Sequence, residues 1–230
     1  MRRIHLLLGI QSLLAIFVSF NRLTDWFTGY VLPNEFLRWV DLNNILVALV
    51  SMITAYILKK TLEYNSPARD GRAHTAWNLI FMIGVFITAV SYGFHEMGNY
   101  LHVRFCDPDP GSDLCRIIIF NDDEFSHWLF FTGFTMVNAA ILFLQNIFPR
   151  QEALSRTDIV LLLLNSLFLG AGILANLGFE TIGLDLYIVA LLAIVSASLL
   201  WRRGRQPMFI YYTAAYWLGL IGSMLAQVFR

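Results

Sequence analysis

The sequence predicts an all-α, polytopic transmembrane bundle of about seven helices. Three observations carry that expectation. The 230 residues are 57% hydrophobic and only 14% charged, against about 25% charged in an ordinary soluble domain. The mean hydropathy is +0.61. The apolar residues also fall in long blocks rather than narrow stripes, the pattern of a chain whose solvent is hydrocarbon.

Seven blocks stand out, at 4–21, 39–59, 77–102, 124–148, 157–177, 183–201 and 208–228. At about 1.5 Å of rise per residue, each is long enough to cross a hydrocarbon core of about 30 Å. Backbone groups in lipid must bond within their own segment, so each block is expected to be a helix. The connectors are polar and helix-breaking: Asn65-Ser66-Pro67, Asp107-Pro108-Asp109-Pro110-Gly111 and Arg202-Arg203-Gly204-Arg205. Residues 1–230 therefore read as one integral membrane domain. The first block follows Arg2 and Arg3 like a signal peptide. It ends Val18-Ser19-Phe20-Asn21, without the small residues of a cleavage site, so it is expected to be a retained helix.

Basic residues orient the chain. Of 16 Lys and Arg, eleven fall in one alternate set of connectors: Arg2, Arg3, Lys59, Lys60, Arg69, Arg72, Arg150, Arg156, Arg202, Arg203 and Arg205. Arg22, Arg38, Arg104, Arg116 and Arg230 fall in the other. The positive-inside rule then places the N-terminus in the cytoplasm and the C-terminus outside, in a cell (plasma or inner) membrane. Cys106 and Cys115 share one connector on the outer side, where either a disulfide or two thiols is open. The net charge is zero, so there is no case for a nucleic-acid partner. The expected surroundings are the lipid bilayer, and the oligomeric state is open.

Polar residues gather towards that outer side. Helix 3 carries Gly84, Thr88, Ser91, His95, Asn99 and His102 on one face, with Met82, Val85, Phe86 and Ala89 on the other. A polar stripe on a spanning helix faces the protein interior or a wet cavity. Helix 4 is expected to open with Asn121-Asp122-Asp123-Glu124-Phe125-Ser126-His127, and Asp41, Asn43 and Asn44 open helix 2 at the same level. His95, Asp123 and His127 are the expected ligands of a divalent transition metal such as zinc, since imidazole and carboxylate suit such ions. Ser91 and Glu124 are the expected catalytic assistants, and Asn99, His102 and Asp122 complete the polar site. An enzyme of this kind would hydrolyse a lipid-like or membrane-embedded substrate with metal-bound water. Two further readings stand beside it: a non-enzymatic subunit or ligand-binding protein in which the cluster locks the helices, and a transporter.

His95-Glu96-Met97-Gly98-Asn99 departs from the HExxH zinc-protease motif at Asn99. Ser91-x3-His95 with a following Asp resembles the membrane hydrolase superfamily of alkaline ceramidases and progestin-type receptors, which implies a seven-helix zinc hydrolase. That superfamily takes a His-x3-His pair from its last helix, where this chain has no histidine. His95-x2-Gly98-x-Tyr100, then Asn121-Asp122-Asp123-Glu124-Phe125-Ser126-His127 and Gly133, resembles the YjdF-like bacterial inner-membrane proteins over about 40 residues. Glu124 stands where those proteins tend to have Arg, and the resemblance implies a membrane location but no activity.

Overall fold

The computed structural model describes residues 1–63, 71–106, 110–179 and 183–228. Asn65-Ser66-Pro67, Arg69, Asp107-Pro108-Asp109, Glu180 and Arg230 lie outside the described residues. The helices are α1 (Arg2–Leu23), α2 (Trp39–Leu62), α3 (Arg72–Leu101), α4 (Asp113–Ile119), α5 (Ser126–Ile147), α6 (Arg156–Phe179), α7 (Gly183–Arg203) and α8 (Pro207–Val228). A wider π turn, His102–Cys106, prolongs α3, and a second, Phe120–Phe125, joins α4 to α5 in one rod. Seven segments are thus long and apolar enough to cross a membrane. The chain is an all-α, multi-pass membrane protein.

Every helix runs past its apolar block, because hydropathy marks only the part that meets hydrocarbon. The largest difference is in the fourth span, expected from residue 124 but starting at Asp113. Ser112 caps it there, its hydroxyl accepting from the Cys115 amide at 3.3 Å. Cys106 and Cys115 are joined by a disulfide that ties this start to the end of the third span. The third and fourth spans are therefore 35 residues each, against 19–24 for the other five.

Two helix pairs pack most extensively, α6 with α8 and α3 with α5. Both rely on glycine to bring backbones together. A Cβ on Gly133 would stand 2.8 Å from the Gly84 carbonyl oxygen, and one on Gly219 would stand 2.7 Å from Cβ of Ile173. Helix α8 is the most enclosed, with Met208, Phe209, Ala215 and Tyr216 fully buried. The expected outward face of α3 is indeed exposed, Met82 at 68% and Phe86 at 67%. Such exposure is ordinary only where the solvent is lipid.

Side-chain bonds set the levels of the two ends. At one end α1 finishes beside Glu96 through Arg22 (2.8 Å), and α2 begins beside Asn99 through Arg38 (2.9 Å). The third span continues seven residues beyond Asn99 to Cys106, about 10 Å past the ends of α1 and α2, and the α1–α2 connector follows it there, the Glu35 carbonyl accepting from the Tyr100 hydroxyl at 2.6 Å. At the opposite end, His5 bonds Asp158 at 2.8 Å, and Lys59 and His74 reach Glu63 at 2.5 and 3.1 Å. Glu63 is fully buried just beyond α2. Burial pushes its carboxyl up, but the hydrogen bonds from Lys59 and His74 prevail and hold it below the usual carboxylate range.

Candidate metal centre at the disulfide end

The inward stripe of α3 starts as packing. Thr88 bonds back to the Gly84 carbonyl at 2.8 Å, and the buried Ser91 hydroxyl donates to the Ser126 carbonyl at 2.8 Å. Ser91 thus fastens α3 to α5. One turn further, the stripe becomes ionic. Glu96, 3% exposed, accepts from Arg22 at 2.8 Å and from Asn44 at 2.9 Å. Asn44 in turn accepts from Asn21 at 2.8 Å. These bonds link α1, α2 and α3. Nδ1 of His95 lies 3.3 Å from both Arg22 Nη2 and Glu96 Oε1.

The two imidazoles expected to share an ion, His95 and His127, do meet. Their rings stack with centroids 5.4 Å apart and planes inclined by 28°. Asp123, the third expected ligand, is placed in a different group. Its carboxylate, that of Asp122 and the imidazole of His102 offer three ligand atoms that all lie within 4.8 Å of one another. Asp122 and Asp123 lie in the second π turn, while α3 is a regular helix through Leu101 and carries His102 to the level of that turn. Sequence spacing alone sets His102 about 10.5 Å beyond His95 along a regular helix, outside any shared site. The structure brings His102 instead to the opposing turn, where its Nδ1 is 3.1 Å from Asp122 Oδ2. Single π turns inside longer helices often mark functional sites. Glu124 is exposed beside this group.

Charge matching singles out Asp122. Arg38 grips Asp41 with two bonds, of 2.7 and 2.8 Å, and Arg22 pairs with Glu96. Asp122, 1% exposed, is left with His102 and with the Asn99 amide at 3.4 Å, both on Oδ2. Its Oδ1 is buried and has no hydrogen-bond partner among the described residues. A buried carboxylate oxygen is costly unless a donor or a cation meets it. The backbone holds Asp122 in place: a Cβ on Gly98 would stand 3.1 Å from its Cα, so α3 and the second π turn touch main chain to main chain.

Arg22, Arg38, Asn21 and Glu96 are part of this end, and sequence reasoning passed over them. Glu96 had a signal, since it adjoins His95 in a spanning segment. Arg22 and Arg38 had a weaker one, as basic residues on the side poor in them. No family model, no curated protein and no solved structure matches the chain.

Proposed function

We propose that this protein is a metal-dependent enzyme of the membrane surface, with a divalent cation held by His102, Asp122 and Asp123. The observation that carries the reading is the buried, partnerless Asp122 Oδ1 in a group that already offers an imidazole and a second carboxylate. A cation there supplies Lewis acidity and a water of lowered pKa. The chain's residues supply the rest. His102, Asp122 and Asp123 bind, Asn99 donates to Asp122 and is itself held by Arg38, and Glu124 is the exposed candidate for taking a proton. The stacked His95 and His127 lie deeper and are assigned to positioning, as Ser91 is to packing. The charge bias of the connectors supports placing this end outside a cell membrane.

Binding and turnover test the proposal together. Protein stripped by chelator and dialysed against Zn²⁺ or Mn²⁺ is expected to take up one ion per chain. Asp122→Asn and His102→Ala lose that ion, while His95→Ala keeps it. Chelator-sensitive cleavage of an ester or phosphoester in lipid vesicles, lost in Asp122→Asn, is the expected activity. Absence of stoichiometric ion in the wild type defeats the reading. A second reading, a purely structural cluster, is favoured by the Arg22–Glu96–Asn44–Asn21 bonds, which need no ion. It predicts that no variant changes metal content.

A further inference from the structure

At the end of the molecule opposite the metal group, α6, α7 and α8 border a groove of about 570 Å³. Ile159 of α6, Leu200 of α7 and Ile210 of α8 form its apolar floor, and Gly204 and Arg205 close it. Gly204, in the left-handed region at φ 80°, ends α7, its amide reaching the Leu200 carbonyl at 3.0 Å. Gln206 clamps the turn to the α5–α6 connector. Its side-chain oxygen accepts from the Arg150 amide at 2.8 Å, and its side-chain nitrogen donates to the Arg150 carbonyl at 3.2 Å. The backbone of Arg205 is therefore held from both sides at the groove's edge. On α6 the groove runs on into the lipid-facing surface: Leu163, one turn deeper than Ile159 on the same face, is 43% exposed.

Positive charge gathers at the mouth and is not neutralised there. Arg205 lines the groove itself. Arg156 and Arg203 stand one turn nearer the helix ends than Ile159 and Leu200, on α6 and α7. All three are exposed, and none pairs with a carboxylate among the described residues. Asp158, the acid in the first turn of α6, is taken by His5 and Ser155. The helix dipole accounts for Arg203, in the last turn of α7, but not for the other two. Arg156 opens α6 and Arg205 stands just before α8, so both lie at positive helix ends, where an anion is favoured and a cation is not. Trp201, 91% exposed beside Leu200, fits this level to the membrane boundary, where tryptophan is enriched.

We propose that this groove binds an anionic glycerophospholipid of the leaflet on its side, with one acyl chain against Ile159, Leu200 and Ile210 and the phosphate among Arg205, Arg156 and Arg203. The unpaired arginines select the head group, and the apolar floor selects a chain. A bilayer lipid supplies both at this depth. A free phosphate leaves the floor uncovered, and an apolar partner leaves three guanidiniums unmatched. A zwitterionic head group brings its own cation to the same place and is disfavoured. The site does not depend on the cation reading above.

The test is native mass spectrometry of the detergent-purified protein titrated with phosphatidylglycerol or phosphatidylcholine. Phosphatidylglycerol is expected to bind the wild type about tenfold more tightly. Arg205→Gln is expected to weaken phosphatidylglycerol about fivefold, the worth of one arginine close to anionic lipid, and to leave phosphatidylcholine unchanged. Ile159→Trp fills the floor and weakens both lipids. Arg72→Gln removes an exposed arginine of α3 that does not line the groove and is expected to change neither. Equal affinity of the wild type for the two lipids overturns the proposal. So does a loss in Arg72→Gln equal to that in Arg205→Gln, the mark of diffuse charge attraction. Glycerol phosphate that matches the lipid in affinity overturns it too, as does a lipid-free dimer of this chain that Ile159→Trp disrupts.

Discussion

The two tightest helix pairs of this protein are built alike and end differently. In α6–α8 and in α3–α5, glycines let main chains approach, and bulky apolar side chains close the gaps. The α6–α8 pair buries hydroxyls such as Ser166 and Ser223 but no ionisable carboxylate or imidazole, and it forms much of the core, with Leu162, Met208, Phe209 and Tyr216 fully enclosed. The α3–α5 pair begins the same way at Gly84 and Gly133. It then outruns its neighbours, acquires two π turns, and gathers His95, Glu96, His102, Asp122 and His127. Packing in hydrocarbon needs no ionisable group, since shape and small residues suffice. Both pairs end in charge, since α6 starts with Asp158 bonded to His5, but of the two only the α3–α5 pair leaves a buried carboxylate oxygen, Asp122 Oδ1, without a hydrogen-bond partner among the described residues.

The strongest way to break this comparison is to overpack both pairs. Gly133→Leu and Gly219→Leu insert a side chain where a Cβ already meets atoms 2.8 and 2.7 Å away. Each is expected to cost about 1–3 kcal/mol or more, measured as thermal unfolding in detergent. Gly93→Leu, in open space, is expected to stay within about 0.5 kcal/mol of wild type. Equal losses at all three positions would mean that Gly93 is packed rather than open.

Next in size is the disulfide. It closes a short loop, with nine residues of separation, for which chain entropy gives about 2–3 kcal/mol. Reduction, or Cys106→Ser with Cys115→Ser, is expected to raise hydrogen exchange over 99–126 while leaving α6 and α8 unchanged. Exchange rising equally in both pairs would contradict the separation of the two regions.

Glu96→Gln comes third. It weakens the bond to Arg22, whose side chain is 40% exposed, so about 1–2 kcal/mol is expected, below the figure for a fully buried pair. Ion content is expected to be unchanged, because Glu96 anchors helices and lies outside the proposed ligand set of His102, Asp122 and Asp123. Loss of the ion in Glu96→Gln would merge the two clusters into one site.

The smallest effect is a pH slope at the opposite end. Glu63 is held below its unfolded value. Its contribution is therefore complete above the unfolded carboxylate pKa of about 4.3 and is lost as pH falls through the lower folded value. Melting temperatures of the wild type should drop more steeply than those of Glu63→Gln as the pH is lowered past 4. Parallel curves would remove Glu63 from the account.

The helices were legible in the sequence because length and hydropathy are local properties. The inward stripe of α3 was legible too, through its helical period. Two things were not. The start of the fourth span at Asp113 was hidden because a helix above the hydrocarbon has no apolar block to announce it. His102 and Asp122 were expected in the polar site, but that they, rather than His95 and His127, stand with Asp123 was hidden because regular spacing was assumed through Phe120–Phe125, where the chain makes a π turn. A shift of one residue in register changes which side chains face each other, and composition carries no trace of it. Glu96 escaped for another reason: its partners, Arg22 and Asn44, are distant in sequence.

The central claim is that one imidazole and two carboxylates, rather than two stacked imidazoles, hold the ion. X-ray absorption spectroscopy of the zinc-loaded protein measures this directly. The account predicts oxygen and nitrogen neighbours at about 2.0–2.2 Å, with the outer-shell signal of a single imidazole that disappears in His102→Ala. Two imidazoles per zinc, lost in His95→Ala or His127→Ala, would contradict it.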